Sequence, residues 1–150
     1  MMTLSSSAFE PGRPIPKKYT GEGPDVSPPL AWSGVPKGTR ELALICDDPD
    51  APRPKPWVHW VVYGWPADLA GLEEGQDGGG IGGATDFGHT RYGGPMPPPG
   101  HGVHRYYFRL YALDAPLEKA PGWTKERLLS EMKGHVLETA ELMGTYERKK

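Results

Sequence analysis

The sequence predicts a mainly β fold in one domain spanning residues 1–150, on three observations. The chain carries 21 glycines and 18 prolines, well above ordinary usage, which means many turns and few long helices. Three short segments are apolar and rich in β-branched or aromatic residues, as buried strands are. No internal repeat or composition shift marks a domain boundary, and a chain of this length buries about two-thirds of its unfolded surface, enough for one core.

In the N-terminal third, "PGRPIPKK", "GEGPDVSPP" and "SGVPKGTR" read as turns separating short apolar clusters. Two strands are expected at Glu41 to Asp47 (ELALICD) and Val58 to Gly64 (VHWVVYG). A third, His104 to Asp114, places Tyr106, Phe108, Leu110 and Ala112 on one face and Arg105, Arg109 and Tyr111 on the other. The glycine-rich stretch from Gly78 to Gly102 is read as an ordered loop, because Ile81, Phe87, Tyr92 and Met96 can anchor it. Leu128, Leu129 and Met132 at helical spacing, with Thr124 as N-cap and Gly134 as stop, predict one short amphipathic helix. From Val136 to Arg148 the apolar spacing alone favours a helix over a strand.

A net charge of -2 supplies no basic field, so a nucleic-acid partner is not expected. The one cysteine, Cys46, rules out an intrachain disulfide framework. The N-terminus lacks a basic segment followed by an apolar one, which makes the cytoplasm the expected compartment. No apolar run approaches the ~20 residues that span a bilayer, so no membrane insertion is expected.

Strand parity points to one site. Leu42, Leu44, Cys46 and Asp48 share a face in an extended chain, as do Trp57, His59, Val61 and Tyr63. If the three strands are neighbours, Asp48, His59, His104 and Tyr106 converge at the mouth of the core, with "YGGPMPPPG" as a lip. Each residue also has a plainer reading. Asp50 in "DPDAP" suits a turn cap that bonds backbone N–H groups, a lone buried histidine is more often packed than functional, and His89, His101 and His135 read as surface residues. Asp48, His59 and His104 barely reach a zinc ligand count, and no zinc motif supports them. No serine elbow or phosphate loop is present either. Imidazole donors, a tyrosine hydroxyl and backbone N–H groups suit a small anion, with the aspartate holding a histidine protonated or attracting an ammonium group.

"DPDAP" at Asp48 to Pro52, "WVHWVVY" at Trp57 to Tyr63, "YGGPMPPPGHGVHRYYFRLYAL" at Tyr92 to Leu113 and "ETAELMGTYER" at Glu138 to Arg148 together resemble the phosphatidylethanolamine-binding protein family. The likeness is to its bacterial and archaeal members, the Raf kinase inhibitor-like proteins. It implies a large central antiparallel sheet in a sandwich with one or two short helices, and a pocket for phosphate or phospholipid head groups. The ligand-binding set it implies is Asp48, Trp57, His59, Gly94, Pro98, His104 and Tyr106, with no catalytic or metal-ligating residue. It also makes the last segment a strand.

Two departures weaken the expectation of lipid binding and kinase regulation: the sequence ends at Lys150, before the lid helix of animal members, and Met96 stands where they carry a glycine. The expected protein is thus a non-enzymatic, cofactor-free binder of a small anionic or phosphorylated ligand, with modulation of kinases or proteases as an implied further role. The rivals are a hydrolase or lyase using His59 and His104 as acid and base, and a protein-interaction module. A homodimer is expected, as is a cis Lys55–Pro56 bond where animal members hold a cis bond between other residues. Protonated His59 or His104 is expected to make anion affinity fall as pH rises.

Overall fold

A computed structural model describes residues 1–149. The chain runs through β1 (Thr3–Ser5), a 3-10 turn (Lys17–Tyr19), β2 (Leu30–Ser33), β3 (Glu41–Asp48), β4 (Trp57–Pro66), β5 (Gly71–Leu72), β6 (Ile81–Gly82), β7 (His104–Leu113), α1 (Lys125–Met132) and β8 (Val136–Tyr146). The strands pair antiparallel into a five-stranded sheet, β6-β4-β3-β7-β8, and a three-stranded sheet, β1-β2-β5. The mainly β architecture is the expected one. β8 is a strand, as the family resemblance implied and against its apolar spacing. β1 and β2 fall in the short apolar clusters that those turns separate, where three and four residues are too few to display a period of two.

Layering follows from β3, all eight residues of which are buried. Leu42, Leu44 and Cys46 pack with Phe108, Leu110 and Ala112 of β7 under Leu4, Leu30, Trp32 and Leu72 of the small sheet. Ala43 and Ile45 face the opposite side, covered by Trp123 and by Leu128 and Met132 of α1. The helix starts as its sequence demands, with the Thr124 hydroxyl accepting from the Arg127 N–H. Of its three apolar residues Leu129 stays exposed. No described helix is long and apolar enough to cross a membrane.

Simple alternation fails in β4. Cys46 pairs with Trp60 and Asp47 with Val58, which leaves His59 as an extra residue in a β-bulge. A second irregularity sits between Leu42, opposite Trp65, and Leu44, opposite Val62. There Gly64 adopts a φ of 82°, a backbone conformation glycine takes without steric cost. The expectation that Val61 and Tyr63 share a face with Trp57 and His59 is therefore corrected. Val58, Val61 and Tyr63 belong to the core under α1, whereas Trp60, Val62 and Trp65 belong to the core under the small sheet.

The Lys55–Pro56 bond is trans, contrary to the expected cis bond. Trans is the ordinary state of an X-Pro bond, and the loop is held by other means. Arg53 donates from Nε to Lys55 O at 3.0 Å and from Nη2 to Pro56 O at 2.6 Å, and its guanidinium lies 4.6 Å from the centre of the Trp57 ring. Arg53 thus supports Trp57 at the start of β4.

Polar groups on β3 are matched. Glu41 accepts from Leu117 N at 3.1 Å and from Lys119 Nζ, while Asp47 takes Lys125 Nζ and Arg109 Nη1. Removing a buried charge strands its partners, at a cost of about 3 kcal/mol or more. Asp47→Ala should accordingly lower the unfolding free energy by about 3 kcal/mol, read as a shift in urea midpoint with the slope unchanged. A loss below about 1 kcal/mol, the scale of an exposed pair, would show that solvent already screens this cluster.

Candidate functional site

β3 ends at Asp48, its antiparallel neighbour β4 begins at Trp57 and its other neighbour β7 begins at His104. The three ends meet at one edge of the sheet, around a cavity of about 290 Å³. Trp57 and His59, two positions apart on β4, share a side by ordinary alternation and both line this space, and the bulge changes the phase only beyond His59.

Asp48 lies at the base. Its Oδ1 accepts from Asp50 N at 2.7 Å and its Oδ2 from His104 Nδ1 at 2.6 Å. The bond to a backbone N–H two residues on was expected of Asp50, but Asp48 makes it. Asp50 instead receives the N–H, Nε and Nη2 of Arg105, each at 2.9 Å. These bonds hold the Asp50 carboxyl below the usual carboxylate range.

A carboxylate only accepts, so the Nδ1 of His104 carries a proton. Its Nε2 lies 2.7 Å from Nδ1 of His101, and one of those two nitrogens donates to the other. A chain Asp48–His104–His101 therefore runs from a buried carboxylate to an exposed imidazole. The sequence marks His101 only as a surface residue, and its link to His104 comes from the fold.

His59, 3 % exposed, has Nδ1 2.7 Å from the carbonyl of Gly93. The carbonyl accepts, so Nδ1 donates, and Nε2 has no partner among the described residues. Burial pushes the ring's pKa below the ordinary histidine value, against the opposing pulls of Gly93 O and Asp48. The downward shift favours a neutral ring, against the His59 half of the expectation that His59 or His104 supplies positive charge.

Tyr106, 1 % exposed, stands edge-on to His59 with ring centres 5.1 Å apart. Its hydroxyl is buried and makes no hydrogen bond to any described atom. Burial and the nearby Asp48 push its pKa up, so it remains a donor. Phe87 packs edge-on against His59 at 5.2 Å and Trp57 at 5.6 Å. With Ala51, Pro52, Met96, Pro97 and Pro98 these two aromatics make an apolar collar over a polar base.

Six of the seven expected ligand-binding residues line this cavity: Asp48, Trp57, His59, Pro98, His104 and Tyr106. Gly94 does not. Its N–H donates to Asp25 Oδ1 at 2.7 Å, and a Cβ there would lie 2.2 Å from Tyr19 O, so it serves close packing between two loops. Phe87 was read as a loop anchor and instead walls the site, while Tyr92 does the anchoring, its hydroxyl donating to Tyr19 O at 2.7 Å.

The comparisons with known proteins agree with the fold. Residues 5–147 match the family model described as phosphatidylethanolamine-binding protein. A UPF0098 protein of Methanothermobacter thermautotrophicus is 50% identical over 98% of this chain and 99% of its own length. A solved structure of a phosphatidylethanolamine-binding protein homologue from Chlamydia trachomatis is 47% identical, with a TM-score of 0.93 over 99% of this chain and 98% of that one. E. coli YbcL, described as a member of the mammalian family, is 31% identical with a TM-score of 0.91 over 99% of both chains. The chain belongs to the phosphatidylethanolamine-binding protein family.

Proposed function

We propose that this protein binds a small oxyanion, phosphate or a phosphorylated small molecule, in the cavity between Asp48, His59, His104 and Tyr106, and that it does not turn the ligand over. The Tyr106 hydroxyl carries the reading. A buried donor without a partner costs about 1–3 kcal/mol, and such groups persist in native proteins where something else needs them. An oxyanion in the cavity would accept that hydrogen bond.

Size and charge support the same ligand class. About 290 Å³ lies at the lower end of small-molecule sites. Asp48 would repel an anion, but each of its oxygens already accepts a bond, one of them from the His104 ring. The family's name describes binding of phosphatidylethanolamine, whose phosphate is a diester and shares with these ligands the ionised oxygens alone. The apolar collar of Phe87 and Met96, 38 % and 44 % exposed, suits a ligand that carries some apolar bulk outside the polar base.

Nucleophilic catalysis has less support. No Ser, Thr, Cys or Lys is among the lining residues described. Cys46 is buried and its thiol is pushed up by burial and the adjacent aspartates, the opposite of an activated nucleophile.

Two outcomes are expected. Tyr106→Phe removes an unpaired hydroxyl, so it should leave the melting temperature in phosphate-free buffer unchanged or higher while weakening phosphate binding about tenfold in titration calorimetry. Unchanged affinity would place the anion elsewhere.

The second outcome follows from His59. Its pKa is lower folded than the ~6.5 of an unfolded histidine. Below that value the unfolded chain binds the extra proton, so the contribution to stability is full above about 6.5 and is lost as pH falls through the folded value. His59→Gln should therefore flatten the fall in urea midpoint between pH 7 and 5. Parallel curves for the two proteins would show that His59 titrates normally.

A further inference from the structure

Resting on the oxyanion reading, we infer that the pocket selects an oxyanion that itself carries a proton. The ring of His59 meets the Gly93 carbonyl through Nδ1 at 2.7 Å, and a carbonyl has no hydrogen to give. The proton of the neutral ring is fixed on Nδ1, and Nε2 holds a lone pair. Nε2 has no hydrogen-bond partner among the described atoms, and the one polar side-chain atom both buried and unpaired is the Tyr106 hydroxyl. Nε2 therefore keeps access to open space, and the space that His59 lines is this cavity.

The base thus offers one unpaired donor, Tyr106 Oη, beside one unpaired acceptor, His59 Nε2, on rings whose centres are 5.1 Å apart. The other groups are committed. Both Asp48 oxygens are bonded, and His104 Nδ1 and Nε2 are engaged by Asp48 and His101. Packed against His59 are Phe87 and Tyr106, with Trp57 against Phe87, and the charges that act on it, Asp48, Asp47 and Asp25, are all carboxylates. No guanidinium or ammonium group is among the residues described as lining the cavity.

A fully ionised oxyanion satisfies Tyr106 but sets its own lone pairs against that of His59. A hydrogen phosphate satisfies both, accepting from Tyr106 and donating its P–O–H to Nε2. The selected class is hydrogen phosphate and the monoanion of a phosphate monoester. Sulfate and phosphate diesters, which lack the O–H, are selected against. A free phosphate group is thereby separated from the diester of an intact phospholipid head group.

At pH 8 phosphate is chiefly the dianion with one O–H, while sulfate is a dianion of the same shape with none. Titration calorimetry of the full chain with each, at matched ionic strength, should give phosphate about tenfold tighter binding, since one buried acceptor is left unpaired by sulfate. At pH 5, below the monoester's second pKa of about 6, methyl phosphate should outbind dimethyl phosphate by a similar factor. Glutamine at position 59 can turn its amide to present a donor, so His59→Gln should bring both ratios near one. Equal binding of phosphate and sulfate by the wild-type protein overturns the inference and leaves the oxyanion reading standing. A preference that survives His59→Gln in a folded variant, checked by its circular dichroism spectrum, also overturns it. Binding of none of the four anions overturns the oxyanion reading and this inference with it.

Discussion

The packing of β4 beside the site depends on one irregularity of backbone pairing, the extra residue that β4 inserts opposite Cys46 and Asp47. In a regular ladder, residues on one face recur every second position, so a strand that sends Trp57 and His59 to the pocket would send Val61 and Tyr63 there as well. The bulge breaks that phase. Trp57 and His59 face the pocket, and beyond the bulge the strand delivers Trp60 and Val62 to one core and Val61 and Tyr63 to the other. Both faces of the large sheet are then buried without moving the imidazole off the site. Bulges that redirect a side chain beside a functional site are a recurrent device of β proteins.

Around that frame, the molecule treats two sets of buried polar groups differently. Glu41 and Asp47, at opposite ends of β3, are matched by Lys119, Lys125 and Arg109 and by a backbone N–H. At the cavity the bookkeeping stops short. Asp48 is fully engaged, yet the Tyr106 hydroxyl and one nitrogen of His59 are not. Among the described residues no buried side-chain nitrogen or oxygen other than the Tyr106 hydroxyl lacks a partner, so the incomplete pairing at the cavity is a local feature of the site. Local disagreement with the rules of good packing is where function is expected.

Much of this was legible in the sequence. Polar residues at the ends of apolar strands, Asp48 after "LALIC" and His104 before "RYYFRLYAL", locate the mouth of a core by parity alone. The family motifs extended that reading to Trp57 and Pro98 and replaced helix with strand at Val136–Tyr146. What was not legible depended on pairing across strands. A bulge is a property of two strands together, so the change of face after His59 leaves no mark within "WVHWVVY". His101 gains its meaning only when the loop folds back to set its Nδ1 2.7 Å from His104. Gly94 is expected in the pocket on the family resemblance alone. Only the close approach of the Tyr19 carbonyl reveals that its role is packing.

The central claim is that the unpaired groups at the base of the cavity belong to an oxyanion. A crystal structure of the protein grown from phosphate solution tests it most directly. The account predicts a phosphate in the cavity with one oxygen within about 3 Å of Tyr106 Oη and another within about 3 Å of His59 Nε2, with the His59–Gly93 contact retained. A well-resolved map in which Tyr106 Oη bonds only to protein or water, and phosphate lies elsewhere or nowhere, would contradict it.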